Sequence, residues 1–277
     1  MEFDTLVLQG SSTRGFIFLG ALDYAYNNNM LEQITTYVGT SSGSMISYLL
    51  AIGYTPIEIM VFLSTNNIME KMQNYNIVGV IQGNGAISYT YIQEQLEKLT
   101  INKIGYLPTL NDLYEKYNKT LVCVTYNLTE ERTEYISWNT NPELPCLIAL
   151  RMSSNLPLIF ENFYYGNCLY VDGGISDNFP IEESKKYGKK ILGITELNIS
   201  NKTDSKNMDM LEFIYNLMFV PIKQNMQNQI EKLKDEITIA TIKHDIDLKV
   251  CNFTIDRSSR FNMFTIGYQK MKEIFLL

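Results

Sequence analysis

The chain holds one histidine, His244, so chemistry that needs an imidazole base must use that residue or do without it. Cysteine is scarce too. Of Cys123, Cys146, Cys168 and Cys251, none forms a C-x-x-C pair and the first three sit in apolar stretches. They read as buried free thiols, not as a disulfide framework. No run is apolar and long enough to span a bilayer. The opening residues Met1-Glu2-Phe3-Asp4 are acidic and lead straight into a strand, which does not read as a secretory signal. The expected location is cytoplasmic, with room for peripheral membrane association. Lys and Arg form no basic stripe, and the net charge is −7. That balance argues against a nucleic-acid partner and against strong electrostatic binding to anionic membranes. No internal repeat and no linker rich in Pro, Gly or Ser divides the 277 residues, so one domain over 1–277 is expected.

What the chain does have begins at Gly39-Thr40-Ser41-Ser42-Gly43. This G-x-S-x-G follows the β-branched run Ile34 to Val38 and precedes the apolar run Met45 to Ile52. Strand, sharp turn, helix is the context of a nucleophile elbow. Gly39 and Gly43 make room for the turn, which pushes the Ser41 hydroxyl out at the strand's carboxyl end. Backbone N–H groups at the head of the following helix can there face a developing oxyanion.

Strands and helices alternate along the chain. Thr5 to Gln9 reads as a buried strand, Gly10 to Gly15 as a loop of small residues, and Phe16 to Tyr26 as a helix. Further helices are expected over Pro56 to Met72, Ser88 to Leu99 with Ser88 as cap, Leu110 to Tyr117 behind a capping box at Thr109, and Pro145 to Met152. Pro180 to Tyr187, Met208 to Lys234 and a final segment from Ser258 to Phe275 also read as helices. Strands are expected at Thr120 to Tyr126, Arg132 to Ser137, Leu169 to Val171, Lys189 to Glu196, Ile237 to Ile242 and Leu248 to Ile255. Gly79 to Gly85 and Ser200 to Lys206 read as loops. The order argues for an α/β fold with a largely parallel sheet.

A serine nucleophile needs a base. His244 follows Ser41 and Asp172 in an order that fits a triad, but Lys243, Asp245 and Asp247 give it the look of a surface histidine in a solvated turn. The alternative is Asp172, which ends a short apolar strand and precedes Gly173 and Gly174. Functional sites collect at the carboxyl ends of strands in parallel sheets, and paired glycines allow close backbone approach. Asp177 reads instead as a cap for the helix opened by Pro180. The loop Gly10 to Gly15 can form an anion-binding concavity from successive N–H groups.

Together these segments resemble the patatin-like phospholipases, whose pattern is a G-G-G-x-R/K-G loop, a G-x-S-x-G elbow and a later D-G-G or D-G-A. Here they stand as Gly10-Ser11-Ser12-Thr13-Arg14-Gly15, Gly39 to Gly43, and Asp172-Gly173-Gly174. The segments Arg151 to Phe160 and Asp177-Asn178-Phe179-Pro180 fit the same family, and the likeness runs from about Leu6 to Leu192. The resemblance implies a three-layer α/β/α fold and a lipid acyl hydrolase without metal or cofactor. It implies a Ser41–Asp172 dyad, with Gly10, Ser11 and Ser12 as the oxyanion hole and Arg14 ordering that loop or facing a phosphate. Its partner would be a lipid or acyl-ester substrate. Two loop glycines are serines here, and Gln9 stands where an aspartate is common. If Ser11 or Ser12 must adopt a positive φ, the hole is strained. Two other readings follow: a catalytically silent relative that binds lipid or a protein, and another acyl-transfer enzyme such as a thioesterase or transacylase. The segment Met208 to Pro221, rich in Met, Leu and Phe, reads as a helix packed on the core, with an acyl channel or a lipid-facing surface as the alternative.

Overall fold

The computed structural model describes residues 1–65, 85, 87–199, 210–246 and 255–276. The expected strand at Leu248 to Ile255, most of the loop at Gly79 to Gly85, the loop at Ser200 to Lys206 and the end of the helix from Pro56 fall largely outside them.

The strands are β1 (Thr5–Leu8), β2 (Thr36–Thr40), β3 (Thr120–Asn127), β4 (Arg132–Ile136), β5 (Phe163–Tyr165), β6 (Cys168–Asp172), β7 (Ile191–Asn198) and β8 (Thr238–His244). The helices are α1 (Gly15–Asn27), α2 (Ser42–Ala51), α3 (Pro56–Thr65), α4 (Thr90–Ile104), α5 (Leu110–Tyr117), α6 (Cys146–Ser153), α7 (Met210–Leu233) and α8 (Arg257–Leu276). The strands form one mixed sheet in which β3, β2, β1, β7 and β8 run parallel while β4, β5 and β6 pair antiparallel. Its central strands are buried on both faces. Leu6, Leu8, Tyr37, Leu121, Cys123, Leu192 and Ile194 pack into one apolar cluster, with residues of α1, α2, α5, α6 and α8. The alternate residues Val7, Val38, Val122 and Ile191 pack into another, with Phe179, Ile181 and, from α7, Met226 and Leu233. The period of two thus sends neighbouring side chains to opposite helical layers, which is the α/β/α sandwich.

Several local signals are realised. Thr109 and Asp112 form a reciprocal capping box at α5. Others differ. The N-cap of α4 is Tyr89, and Ser88 Oγ accepts instead from Thr90 N–H at 3.3 Å. Pro180 opens no α-helix; the segment holds a short 3₁₀ turn, Glu183–Lys186. Asp177 is therefore not its cap, and its carboxylate accepts from the Tyr135 hydroxyl at 2.9 Å. The α7 helix runs unbroken through Pro221. At the chain's other end α8 packs on α1, with Tyr24 and Tyr268 edge to face at 5.5 Å.

Candidate active site

Ser41 lies between β2 and α2 with φ 55° and ψ −124°, a conformation that costs a non-glycine residue about 1–3 kcal/mol. Its surroundings hold it there. Ser41 N–H donates to Ser153 Oγ at 3.0 Å, and Ser41 C=O accepts from Ser44 Oγ at 2.6 Å. Gly43 packs against β1 so closely that a Cβ there would stand 2.6 Å from the carbonyl oxygens of Leu8 and Gln9. The Ser42 N–H, first in α2, makes no hydrogen bond among the described residues. It is one of the orphan donors at the positive end of the helix dipole.

Sheet register delivers Asp172 to Ser41. On β3, Cys123 and Val124 pair with both β2 and β4, so those strands flank opposite edges. Thr125 to Asn127 pair with both β4 and β6, so β6 also lies opposite β4. Strands β2 and β6 therefore share one edge of β3 and meet head to head. Thr40 pairs with Val124, and Asp172 pairs with the next residue, Thr125. Asp172 was expected at the carboxyl end of a parallel strand; it arrives on an antiparallel one. Gly173 makes the junction possible, because a Cβ there would meet Val124 O at 2.3 Å.

Asp172 is 1% exposed. Its Oδ1 accepts from Gly174 N–H at 2.7 Å, while Oδ2 is buried without an aligned hydrogen bond among the described residues. Burial pushes the carboxyl up to about 7, against the smaller opposing pull of the Ser41 hydroxyl and the Gly174 N–H. Serine and carboxylate are thus neighbours with a loose contact.

The loop after β1 closes the site. Gly10 N–H donates to Asn178 O at 3.0 Å, and Asn178 Nδ2 returns a bond to Gly10 O at 2.9 Å. Ser11 N–H donates to Ser42 Oγ at 3.1 Å. Ser12 adopts φ 51°, the left-handed conformation anticipated as a source of strain, and begins a 3₁₀ turn over Ser12–Arg14. Gly15 then opens α1. Arg14 Nε donates to Glu196 Oε1 at 2.8 Å, so its side chain orders the loop.

His244 is not a surface histidine. It is buried at the end of β8, with Nε2 2.7 Å from Glu196 Oε2. Its Nδ1 accepts from Ile246 N–H at 3.2 Å, which puts the ring proton of the neutral form on Nε2, donating to Glu196. Burial raises the Glu196 carboxyl, but Arg14 and His244 outweigh that and hold it down at about 2. Gln9 Oε1 accepts from Glu196 N–H at 2.9 Å and from the Thr195 hydroxyl. Imidazole, carboxylate and guanidinium form a line that ends on the loop after β1, not on Ser41.

Three positioning residues escaped the sequence reading. Ser153 and Asn178 lie in segments that carry the family resemblance but have no titratable group to mark them. Glu196 looked like the end of a strand. Among the described residues, no group of three or more His, Cys, Asp or Glu side chains gathers where it could hold a metal ion.

An apolar cavity of about 170 Å³ opens beside Ser41. Ser42, Met45, Ile46 and Leu49 of α2 line one wall, and residues of α3, α4 and the segment around Phe160 line the others.

Against known proteins, the family profile described as Patatin-like phospholipase matches residues 6–184. The chain is 29% identical over 263 residues to the probable lipid hydrolase 463L of Invertebrate iridescent virus 6, covering 94% of this chain and 86% of that one. In fold it is similar to VipD of Legionella pneumophila, with a TM-score of 0.59, 17% identity, and coverage of 99% of this chain and 67% of that one. It is also similar to the type III effector ExoU of Pseudomonas aeruginosa, with a TM-score of 0.58 at 12% identity. There it covers 98% of its own length and 52% of the effector's. The matched span takes in the loop, the elbow and the aspartate alike, and the chain belongs to the patatin-like phospholipase family.

Proposed function

We propose that the chain is a lipid acyl hydrolase that cleaves acyl esters of phospholipids or related lipids with a Ser41–Asp172 dyad. The observation that carries this is Asp172 itself, a buried carboxyl with an unpartnered oxygen beside a serine in a strained elbow. Ser41 Oγ attacks the ester carbonyl carbon as Asp172 takes its proton. The tetrahedral oxyanion is held by the Ser42 N–H and by the Ser11 N–H, which leaves Ser42 Oγ to reach it. Collapse breaks the bond to the alcohol, and Asp172 returns the proton to that oxygen. Water, deprotonated by Asp172, then attacks the acyl-enzyme carbonyl; the bond to Ser41 Oγ breaks, Asp172 returns the proton to that oxygen, and the fatty acid leaves. The acyl chain lies in the cavity along α2, where Ser42 to Leu49 span about 10 Å.

The test is hydrolysis of acyl esters and phospholipids by the protein beside Ser41→Ala, Asp172→Asn and His244→Ala. Loss of about 10³-fold or more in the first two is expected. His244→Ala, assayed below its melting temperature, is expected within about ten-fold of the parent because its ring serves Glu196. Collapse of that variant to the Ser41→Ala level, in a folded protein, would establish a triad instead.

One observation favours a second reading, a silent lipid-binding relative: the N–H groups of Gly10 and Ser11 are both already engaged. Failure of a fluorophosphonate to label Ser41 would select it.

A further inference from the structure

Helix α7 has two apolar faces on opposite sides. Inward, Tyr215, Ile222 and Met226 are buried. The Tyr215 hydroxyl donates to Pro157 O, and its ring stacks on Phe219. These two rings pack in the cluster that includes Leu156, Phe160, Met45, Phe62 and Leu63, all five of which line the cavity at Ser41. Outward, Met210, Phe213, Leu217 and Val220 are 79%, 53%, 57% and 64% exposed. Their spacing of i, i+3, i+7 and i+10 places them within an arc of about 80° on one face. The α3 helix repeats the pattern on a smaller scale, with Ile57 and Val61 exposed while Ile59, Phe62 and Leu63 face the cavity.

We infer that this outward stripe of α7 docks on the surface of a zwitterionic phospholipid bilayer. A stripe of exposed large apolar groups marks a contact surface. Two features identify the occupant. The stripe backs onto the wall of the substrate cavity, and long acyl esters reside in bilayers, so the enzyme must meet them there. Its charge is also wrong for an anionic surface. Between Met210 and Pro221 the only charged residue is Glu212, which lies off the stripe, and the chain carries −7 overall. Attraction must come from apolar insertion, as in interfacial helices, with little electrostatic help. The choice of a bilayer as occupant rests on the proposed lipid-ester hydrolysis, whereas the exposure and packing of the stripe do not depend on the dyad mechanism.

The experiment is sedimentation of the full chain with phosphatidylcholine vesicles, using Ser41→Ala so that no lipid is consumed. Binding is expected to change less than about two-fold between about 0.1 M and 1 M salt, a range over which the Debye length falls from about 10 Å to 3 Å. Adding anionic lipid is expected not to tighten it. Phe213→Asp/Leu217→Asp should weaken it at least about ten-fold. In the Ser41 background, that pair should leave the melting temperature and the hydrolysis of a short water-soluble ester unchanged. If the Asp pair does not fold, Met210→Ser/Val220→Ser tests the same stripe. Absence of vesicle binding, equal binding by the variants or stripping by salt would each overturn the inference. So would a dimer that the substitutions dissociate, since a second copy would then cover the stripe. Because binding is read without catalysis, its outcome is independent of whether the protein proves to be a hydrolase.

Discussion

In the proposed dyad, one property of Asp172 governs both rate and stability. Burial raises its carboxyl to about 7, and a general base works only when ionised. The dyad therefore predicts that kcat/KM climbs with pH and levels off above about 7, where a carboxylate of ordinary pKa would have levelled off near 4. Stability runs the other way. The folded pKa exceeds the unfolded value near 3.8, so the native state binds the extra proton between those pH values. This residue's contribution falls as pH rises through that window. Asp172→Asn should thus gain in stability relative to the parent as pH goes from about 4 to 8, by about 4 kcal/mol at most, read from the two proteins' melting curves. Parallel melting curves at all pH values would count against the raised pKa. Ser12 carries strain of another kind. Its φ of 51° suits glycine, so Ser12→Gly is expected to stabilise by about 1 kcal/mol, seen as a melting temperature about 2–4 °C higher. A lower melting temperature would mean that the serine side chain contributes more to the loop than its backbone conformation costs.

Between elements, the site is a junction of ends. Two strands abut on one edge of β3, the α2 helix starts at the junction, and the end of α6 reaches it, Met152 C=O accepting from Thr125 Oγ1 and the Ser153 hydroxyl meeting Ser41. That hydroxyl is the acceptor for the N–H of a residue in strained conformation. Ser153→Ala leaves a buried N–H unsatisfied, at a cost of about 1–3 kcal/mol. Part of this loss should show as destabilisation. The rest should show as a fall in kcat of about ten-fold with KM nearly unchanged, because the acyl cavity is untouched. A rise in KM alone would place Ser153 in binding and not in the geometry of the elbow.

Across the whole molecule, the features legible in sequence are those that backbone geometry dictates locally. The elbow glycines, the D-G-G turn and the capping box at Thr109 each depend on a few adjacent residues, and each stands where it was expected. Long-range register was not legible. Nothing near Asp172 indicates that β6 runs against β3 in the space beyond the end of β2, because that follows from pairing across more than forty residues. His244 was misread for a smaller reason. Its neighbours Lys243 and Asp245 are exposed, but on a strand neighbours face opposite sides, so polar flanks say nothing about the residue between them. Its true place links the far edge of the sheet to the loop after β1, since His244 on β8 contacts Glu196 on β7, and Glu196 holds Arg14 in that loop. The Glu196 pKa of about 2 lies below the unfolded value near 4.5, so its contribution is complete above about 4.5 and is lost as pH falls toward 2. The parent should therefore lose stability through that window more steeply than Glu196→Gln, by up to about 3 kcal/mol. If the line from His244 to Arg14 also orders the oxyanion loop, Glu196→Gln will slow fluorophosphonate labelling of Ser41 at neutral pH while the cavity still binds acyl chains. Unchanged labelling would reduce the cluster to a support for the sheet edge.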